Sequence, residues 1–187
     1  MEKKIGIIGL GYVGLPLAVA MAKKFNVVGY DINKNRIEEL NSGHDNTNEL
    51  TSSEVLENLG DSISYTHDEK LLTNLNLYII TVPTPINEDK SPNLTPVISA
   101  TTTVSKYINK EDIVVFESTF YPGLTEEICI PILEEGSGLK INDDFMVGYS
   151  PERINPGDKH HTITKIKKVV SGSSKEALRK ITEVYEM

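Results

Sequence analysis

Short runs rich in valine and isoleucine alternate along the chain with longer stretches in which apolar residues recur at helical spacing. This alternation is typical of repeated β-α units and therefore of a mainly parallel sheet. Several runs are apolar at consecutive positions, as expected for strands that helices cover on both faces. The pattern predicts strands at residues 4–9, 26–30, 62–66, 75–82, 112–117 and 145–149, with a weaker candidate at 168–171.

The stretches between these runs have the length that a crossover between parallel strands needs. They predict helices at residues 13–24, 34–40, 96–108 and 125–133. A last helix should begin after Ser173, which can cap it, with Glu176 at its third position. Its apolar stripe consists of Ala177, Leu178, Ile181, Val184 and Tyr185 and still continues where the chain ends, so we expect a further C-terminal segment.

Length and charge narrow the class of protein. The 187 residues, 39% of them apolar and 25% charged, suffice for one buried core, and we expect a single domain over residues 1–187. The formal net charge is −8, and the sequence has no cluster of lysine and arginine that could neutralise a run of phosphates. A nucleic-acid partner is therefore not expected. Neither a signal peptide nor a membrane span is predicted. The single cysteine, Cys129, fits a reducing compartment, and we predict a cytoplasmic location.

A glycine-rich motif follows the first predicted strand. Residues 9–14 read G-L-G-Y-V-G, the G-x-G-x-x-G pattern of dinucleotide-binding turns. Gly9 permits the tight turn, Gly11 lets the backbone approach a pyrophosphate, and Gly14 allows the helix to pack against the strand. The free N–H groups at the helix N-terminus favour the anion. Motif and β-α pattern together predict a Rossmann-like, doubly wound α/β fold with helices on both faces; a tight turn without a ligand is the alternative.

An acidic residue at the end of the second strand favours NAD over NADP. Asp31 lies 22 residues after Gly9, where a carboxylate can accept hydrogen bonds from the adenosine ribose. A 2′-phosphate at ~4 Å from it would be opposed by roughly 4 kcal/mol per charge at an effective dielectric of about 20. Arg36 could stack on the adenine or reach the ribose, although an exposed helix arginine without a partner is a nearly equal alternative.

Two further strand ends are candidate ligand-binding segments, because ligands in open α/β sheets bind beyond the carboxyl ends of the strands. T-V-P-T-P at 81–85 contains two prolines that remove N–H donors, so the chain must leave the sheet and present Thr84. It opens the longest predicted loop, at residues 84–96. E-S-T-F-Y-P-G at 117–123 ends the fifth strand. Taken alone, each segment could equally be a simple turn.

A last polar cluster follows the sixth predicted strand. In Y-S-P-E-R-I-N-P-G-D at 149–158, Glu152, Arg153 and Asn155 place a carboxylate, a guanidinium and an amide just beyond the strand. The residue types fit a binding site, but an ordinary surface loop would tolerate them as well.

In this order, the four segments resemble the UDP-glucose/GDP-mannose dehydrogenase family, and within it the UDP-N-acetylhexosamine 6-dehydrogenases. The resemblance is collinear and spans essentially all 187 residues. It implies a four-electron oxidation of the sugar C6 alcohol to a carboxylate, with two NAD⁺ used in succession and a cysteine that holds the aldehyde-level intermediate. A UDP-sugar substrate and a homodimer or higher homo-oligomer of the full-length protein are implied as partners.

The resemblance also assigns roles to individual residues. Cofactor contacts are implied for Gly9, Gly11, Tyr12, Val13, Gly14, Asp31, Arg36, Val82, Thr84, Ser118 and Thr119. Thr119 and Glu152 are implied to be catalytic, Glu152 as a general base in thioester hydrolysis. Glu152, Arg153 and Asn155 would contact the substrate. UDP-glucose enzymes have an aromatic or aliphatic pair and a second glutamate after the equivalent of Glu152, so this sequence favours an N-acetylated hexosamine, with UDP-glucose as the alternative.

The family's nucleophilic cysteine, its partner lysine, its central helix and its uridine-binding residues belong to a later segment. We therefore expect the chain alone to bind NAD without turnover. Cys129 should be a buried, inert thiol, His160 and His161 should lie in an exposed loop, and no metal site is expected. A stand-alone NAD-binding or redox-sensing module and a Rossmann oxidoreductase of the 3-hydroxyacid type remain as alternatives.

Overall fold

A seven-stranded sheet forms the centre of the protein; the computed structural model describes residues 3–153 and 167–186. The strands are β1 (Lys4–Ile8), β2 (Asn26–Tyr30), β3 (Ile63–Thr66), β4 (Leu77–Ile80), β5 (Ile113–Phe116), β6 (Met146–Tyr149) and β7 (Ser171–Gly172). Their spatial order is β3-β2-β1-β4-β5-β6-β7. Neighbours from β3 to β6 are parallel, and β7 is antiparallel to β6. From β1 the strands follow one another outward to β3 on one side of the sheet, and the chain then returns to place β4 and the later strands on the other side of β1. This arrangement confirms the doubly wound α/β class.

Helices cover both faces of this sheet, as predicted. They are α1 (Gly14–Ala22), α2 (Lys34–Asn41), α3 (Ser52–Leu56), α4 (Thr95–Ser105), α5 (Ile130–Ser137) and α6 (Lys175–Tyr185). Apolar side chains of α1, α2 and α6 pack in one core cluster, and those of α4 and α5 pack in a second on the opposite face. The central strands contribute to both clusters: in β1, Ile5 and Ile7 belong to the first cluster and Ile8 to the second.

The start of the last helix differs from the prediction. The N-cap is Ser174, whose side chain accepts a hydrogen bond from the Ala177 N–H at 3.1 Å, and not Ser173. Ser173 instead follows β7 and donates its N–H to the Val147 carbonyl of β6 at 2.8 Å. Pairing with the sheet therefore decides which of the two serines caps. Leu178, which belongs to the predicted apolar stripe, is 40% exposed.

The helix predicted at 125–133 is divided. A π-helical turn covers Thr125–Cys129, and α5 continues from there to Ser137 and ends at Gly138, which has a φ of 72°. Pro131 has no N–H and its ring crowds the carbonyl four residues earlier. The turn before it is wider than an α-helix, with the Ile130 N–H bonded to the Thr125 carbonyl.

Two short elements were not predicted. A 3₁₀-helix spans Glu69–Leu72. Helix α3 is opened by a capping box, in which the Thr51 side chain accepts from the Glu54 N–H and the Glu54 carboxylate accepts from the Thr51 N–H at 2.8 Å. Both elements are too short for their apolar residues to show a period. The predicted strand at 168–171 is represented by β7 alone.

Candidate functional site

The residues that follow the central strands line up across the carboxyl edge of the sheet. Each of these residues is fixed by one backbone hydrogen bond to the neighbouring strand. The bonds run from Gly9 N–H to Tyr30 O at 2.8 Å, from Thr81 N–H to Ile8 O at 2.9 Å, from Glu117 N–H to Ile80 O at 2.8 Å and from Ser150 N–H to Phe116 O at 2.9 Å. Because side chains alternate along a strand, those of Thr81, Glu117 and Ser150 lie on the face that α1 and α6 cover. Open parallel sheets bind their ligands at this edge.

The glycine turn has the shape of a phosphate cradle. Gly9 has a φ of +97°, which L side chains rarely adopt. A Cβ on Gly14 would lie 1.9 Å from the Gly9 carbonyl oxygen, so only glycine lets α1 begin this close to β1. A Cβ on Gly11, in contrast, would meet no atom within 4 Å. This open space beside Gly11, at the N-terminus of α1, fits the diphosphate of NAD.

Asp31 points back into this turn. Its Oδ2 accepts a hydrogen bond from the Leu10 N–H at 2.9 Å, and its Oδ1 accepts one from the Asn33 N–H at 2.9 Å. A carboxylate oxygen can accept a second hydrogen bond, so the predicted contact with the ribose is compatible with this arrangement. That contact stays a prediction.

Arg36 is buried, and the alternative of an exposed arginine without a partner is wrong. Only 5% of the residue is exposed. Its Nε donates to the Leu10 carbonyl at 2.9 Å, its Nη2 to Asp45 Oδ1 at 2.7 Å and its Nη1 to Asn46 Oδ1 at 2.8 Å. The guanidinium therefore ties the glycine turn to the chain that follows α2. Its contact with the adenosine stays a prediction.

A cavity of about 360 Å³ opens beside Gly11 and brings the four sequence segments together. Hydrogen bonds join two of its loops, since Thr84 Oγ1 donates to the Thr119 carbonyl at 2.9 Å and Ser118 Oγ donates to the Val82 carbonyl at 2.7 Å. The lining residues are Gly11, Tyr12, Val13, Thr81, Val82, Pro83, Thr84, Pro85, Glu117, Ser118, Thr119 and Glu152. The structure thus places most of the predicted cofactor residues around one space.

Glu117 is a residue of this site that the sequence analysis did not single out. The side chain is 0% exposed, and its carboxylate forms an ion pair with the ammonium group of Lys168, which lies shortly before β7. Burial raises the pKa of Glu117, and the charge of Lys168 opposes that rise. Tyr185 of α6 covers the pair, with Lys168 Nζ 5.8 Å from its ring centroid. The only signal in the sequence is an acidic residue directly after a fully apolar strand.

The cluster after β6 contributes one residue to the cavity. Glu152 is half-buried and lines it together with Tyr12, whose pKa is raised by burial and further by the Glu152 carboxylate. Arg153 is exposed, and its Nη1 donates to the Lys167 carbonyl at 3.1 Å. Asn155 lies outside the described residues, as do His160 and His161.

Cys129 is 0% exposed, and burial raises the pKa of its thiol to about 12, which confirms the predicted burial. Within residues 3–153 and 167–186, no group of three or more histidine, cysteine and acidic side chains could hold a metal ion. None of the helices in those same ranges has the length and apolar content to cross a membrane.

Comparison with known proteins agrees with this geometry. A model described as "UDP-glucose/GDP-mannose dehydrogenase family, NAD binding domain" matches residues 3–187. A UDP-N-acetyl-D-glucosamine 6-dehydrogenase of Salmonella typhi is 55% identical over 185 residues, which cover 99% of this chain and 43% of that protein. The enzyme of the same name from Pseudomonas aeruginosa is 52% identical over 184 residues, covering 98% of this chain and 43% of that protein.

Among solved structures, that of an NDP-N-acetyl-D-galactosaminuronic acid dehydrogenase from Methanosarcina mazei Go1 superposes with a TM-score of 0.91 at 31% identity. The match covers 99% of this chain and 42% of that one. The chain therefore spans less than half the length of the relatives it matches.

Proposed function

Because the chain belongs to the UDP-glucose/GDP-mannose dehydrogenase family, of which it is the NAD-binding domain, we propose that it works within a longer nucleotide-sugar 6-dehydrogenase. The proposed reaction is oxidation of the C6 alcohol of a UDP-N-acetylhexosamine to the uronate with two NAD⁺. The names of two relatives, at 55% and 52% identity, support an N-acetylated hexosamine. A homo-oligomeric full-length protein and a cytoplasmic location are part of the same proposal.

The observation that carries the proposal is the cavity beside Gly11. NAD⁺, when bound, supplies the hydride acceptor, and the residues of this chain bind and orient it. Gly11 and the N-terminus of α1 receive the diphosphate, and Asp31 accepts hydrogen bonds from the adenosine ribose. Thr84 and Thr119, which a hydrogen bond already joins, hold the nicotinamide end. Four separate segments therefore contribute to one extended binding surface.

Glu152 is the proposed general base for the hydrolytic half of the reaction. A carboxylate in that role must lie within reach of a water at the reacting carbon, and Glu152 is half-buried at the cavity that holds Thr119. Arg153 is exposed just beyond it, where it would face the nucleotide sugar. A contact of Asn155 with the sugar is proposed from the resemblance alone. The exposure of Arg153 supports contact with a ligand that approaches from outside the domain.

We expect the chain to bind NAD⁺ at least tenfold more tightly than NADP⁺. Asp31 would oppose a 2′-phosphate at ~4 Å by roughly 4 kcal/mol at an effective dielectric of about 20, and solvent screening reduces this figure. Isothermal titration calorimetry of the two nucleotides measures the ratio, and Asp31→Asn should narrow it. Equal affinities of the unchanged chain would remove the role assigned to Asp31.

In the full-length protein, Glu152→Gln should lower turnover by about 10²–10⁴-fold, the range for loss of a general base. Turnover is followed as NADH absorbance with UDP-N-acetylglucosamine, and with the mannosamine, galactosamine and glucose analogues to identify the substrate. The same substitution in this chain should leave NAD⁺ affinity within about twofold, which separates chemistry from binding. Full turnover by the variant, or NADH formation by this chain alone, would contradict the proposal.

A further inference from the structure

The leucine between the first two glycines is fixed at three points. The Leu10 N–H donates to Asp31 and the Leu10 carbonyl accepts from Arg36 Nε, each at 2.9 Å. Its side chain is 0% exposed, and it packs so close to Gly29 that a Cβ there would lie 3.1 Å from it. Gly9 is held separately, by the Tyr30 carbonyl at 2.8 Å and by Thr81 Oγ1 at 2.7 Å, so the contacts of Leu10 fix the part of the turn that leads into Gly11.

Asp45 in turn holds the guanidinium of Arg36 in place. Asp45 has a side chain that is 0% exposed and accepts from Arg36 Nη2 at 2.7 Å. The same carboxylate accepts from the Thr47 N–H and Oγ1 at 3.1 and 2.7 Å, and from the N–H groups of Glu49 and Leu50 at 3.0 and 3.1 Å. A carboxylate with this many donors is fully satisfied and keeps one orientation.

The guanidinium of Arg36 joins the loop that contains Asp45 to the glycine turn. It has five N–H donors, so its bonds to protein are compatible with the predicted contact with the adenosine. Here Nε, Nη1 and Nη2 all donate to protein oxygens, and one of these is the carbonyl of the turn itself. The loop that contains Asp45 therefore contacts the cofactor site through Arg36.

We propose that Asp45 is a positioning residue of the NAD site, which acts through Arg36 to fix the Leu10 carbonyl and with it the glycine turn. The inference rests on the proposed binding of NAD at that turn. A turn that is already in place binds its ligand without a further loss of conformational freedom. Loss of the Asp45 carboxylate should then weaken NAD⁺ binding, although its hydrogen bonds run to Arg36 and to its own loop.

Three variants of this chain test the proposal by calorimetry with NAD⁺. Asp45→Asn should raise the Kd about tenfold, a change equivalent to about 1.4 kcal/mol. Arg36→Lys keeps the charge that pairs with Asp45 but cannot bridge Leu10 and Asp45 as a planar fork does, and it should raise the Kd by a similar factor. The two together should cost no more than either alone, because both remove the same contact. Thr47→Val, the matched control, removes a different hydrogen bond from Asp45 and should leave the Kd within about twofold.

Hydrogen exchange of the ligand-free chain provides a readout that does not depend on NAD binding. The Leu10 amide, which donates to Asp31, should exchange faster in Asp45→Asn and Arg36→Lys, and at the wild-type rate in Thr47→Val. An unchanged Kd and unchanged exchange in both variants would overturn the proposal, as would equal effects of Thr47→Val and Asp45→Asn. Failure of the unchanged chain to bind NAD⁺ would contradict the proposed function, while the exchange rates would still decide the role of Asp45.

Discussion

Lys168→Met should lower the free energy of unfolding by about 3–5 kcal/mol at pH 8, the range for removing one partner of a buried ion pair. The side chains of Glu117 and Lys168 are 0% and 11% exposed, so the remaining carboxylate would have neither its counter-charge nor water around it. Urea unfolding followed by circular dichroism measures the change. The double variant Glu117→Gln with Lys168→Met, which removes both charges, should recover more than half of the loss. A single variant within about 1 kcal/mol of the wild type would show that the pair contributes little.

The loss of unfolding free energy that Lys168→Met causes should be smaller at pH 5 than at pH 8. Burial raises the pKa of Glu117 in the folded protein, and loss of Lys168 removes the charge that opposes this rise. A carboxyl group with a raised folded pKa binds its proton more tightly when folded, so stability falls as the pH rises from the unfolded pKa, about 4.3, toward the folded one. Unfolding curves at both pH values give the difference, and a deficit that grew on acidification would contradict the assignment to Glu117.

Gly14→Ala should destabilise the chain by about 3 kcal/mol or more, whereas Gly11→Ala should change its stability by less than about 1 kcal/mol. The methyl group of the first would lie 1.9 Å from the Gly9 carbonyl oxygen and 2.4 Å from Thr81 Oγ1, so α1 would have to move away from β1. The methyl group of the second meets no protein atom within 4 Å. Thermal unfolding of the two variants measures this contrast.

The same pair of variants separates folding from binding. The space that Gly11→Ala fills is the space assigned to the diphosphate, so this variant should bind NAD⁺ at least about tenfold more weakly while it remains folded. Calorimetry on the folded variant checks the value. NAD⁺ binding at wild-type strength by Gly11→Ala would show that the diphosphate does not lie there.

Local sequence predicted the parts of the site in which one motif specifies both conformation and ligand. The glycines at 9, 11 and 14 require a strand, a tight turn and a helix, and all three are present where expected. Asp31 at the end of β2 and the segments after β4, β5 and β6 are also adjacent in space, because parallel strands place their carboxyl ends at one edge. In each case, the position of a residue relative to its strand was sufficient to predict that it lies at this edge.

The other features of the fold and the site depend on contacts between particular side chains, which the spacing of apolar residues does not reveal. The spacing of α2 indicates which face carries Arg36, but its burial depends on Asp45, nine residues later in an irregular segment. Lys168 reaches Glu117 across 51 positions, and neither neighbourhood identifies the other. The sequence predicts Ser173 as the cap of α6, and only the hydrogen bond of Ser173 to Val147 of β6 explains why Ser174 caps the helix instead. Hydrogen bonds between distant loops are therefore where the structure added most.

The antiparallel pairing of Tyr149 with Ser171 fastens both ends of the intervening stretch to one border of the sheet. Since closing a longer or shorter loop changes the entropy of the chain only slowly, the sheet itself does not fix how many residues this stretch contains. If the proposed function holds, we expect a segment grafted there from a relative to change the substrate preference while the glycine turn stays as it is. The graft should keep a cation at position 168, because the ammonium group there is the counter-charge of the buried Glu117 carboxylate.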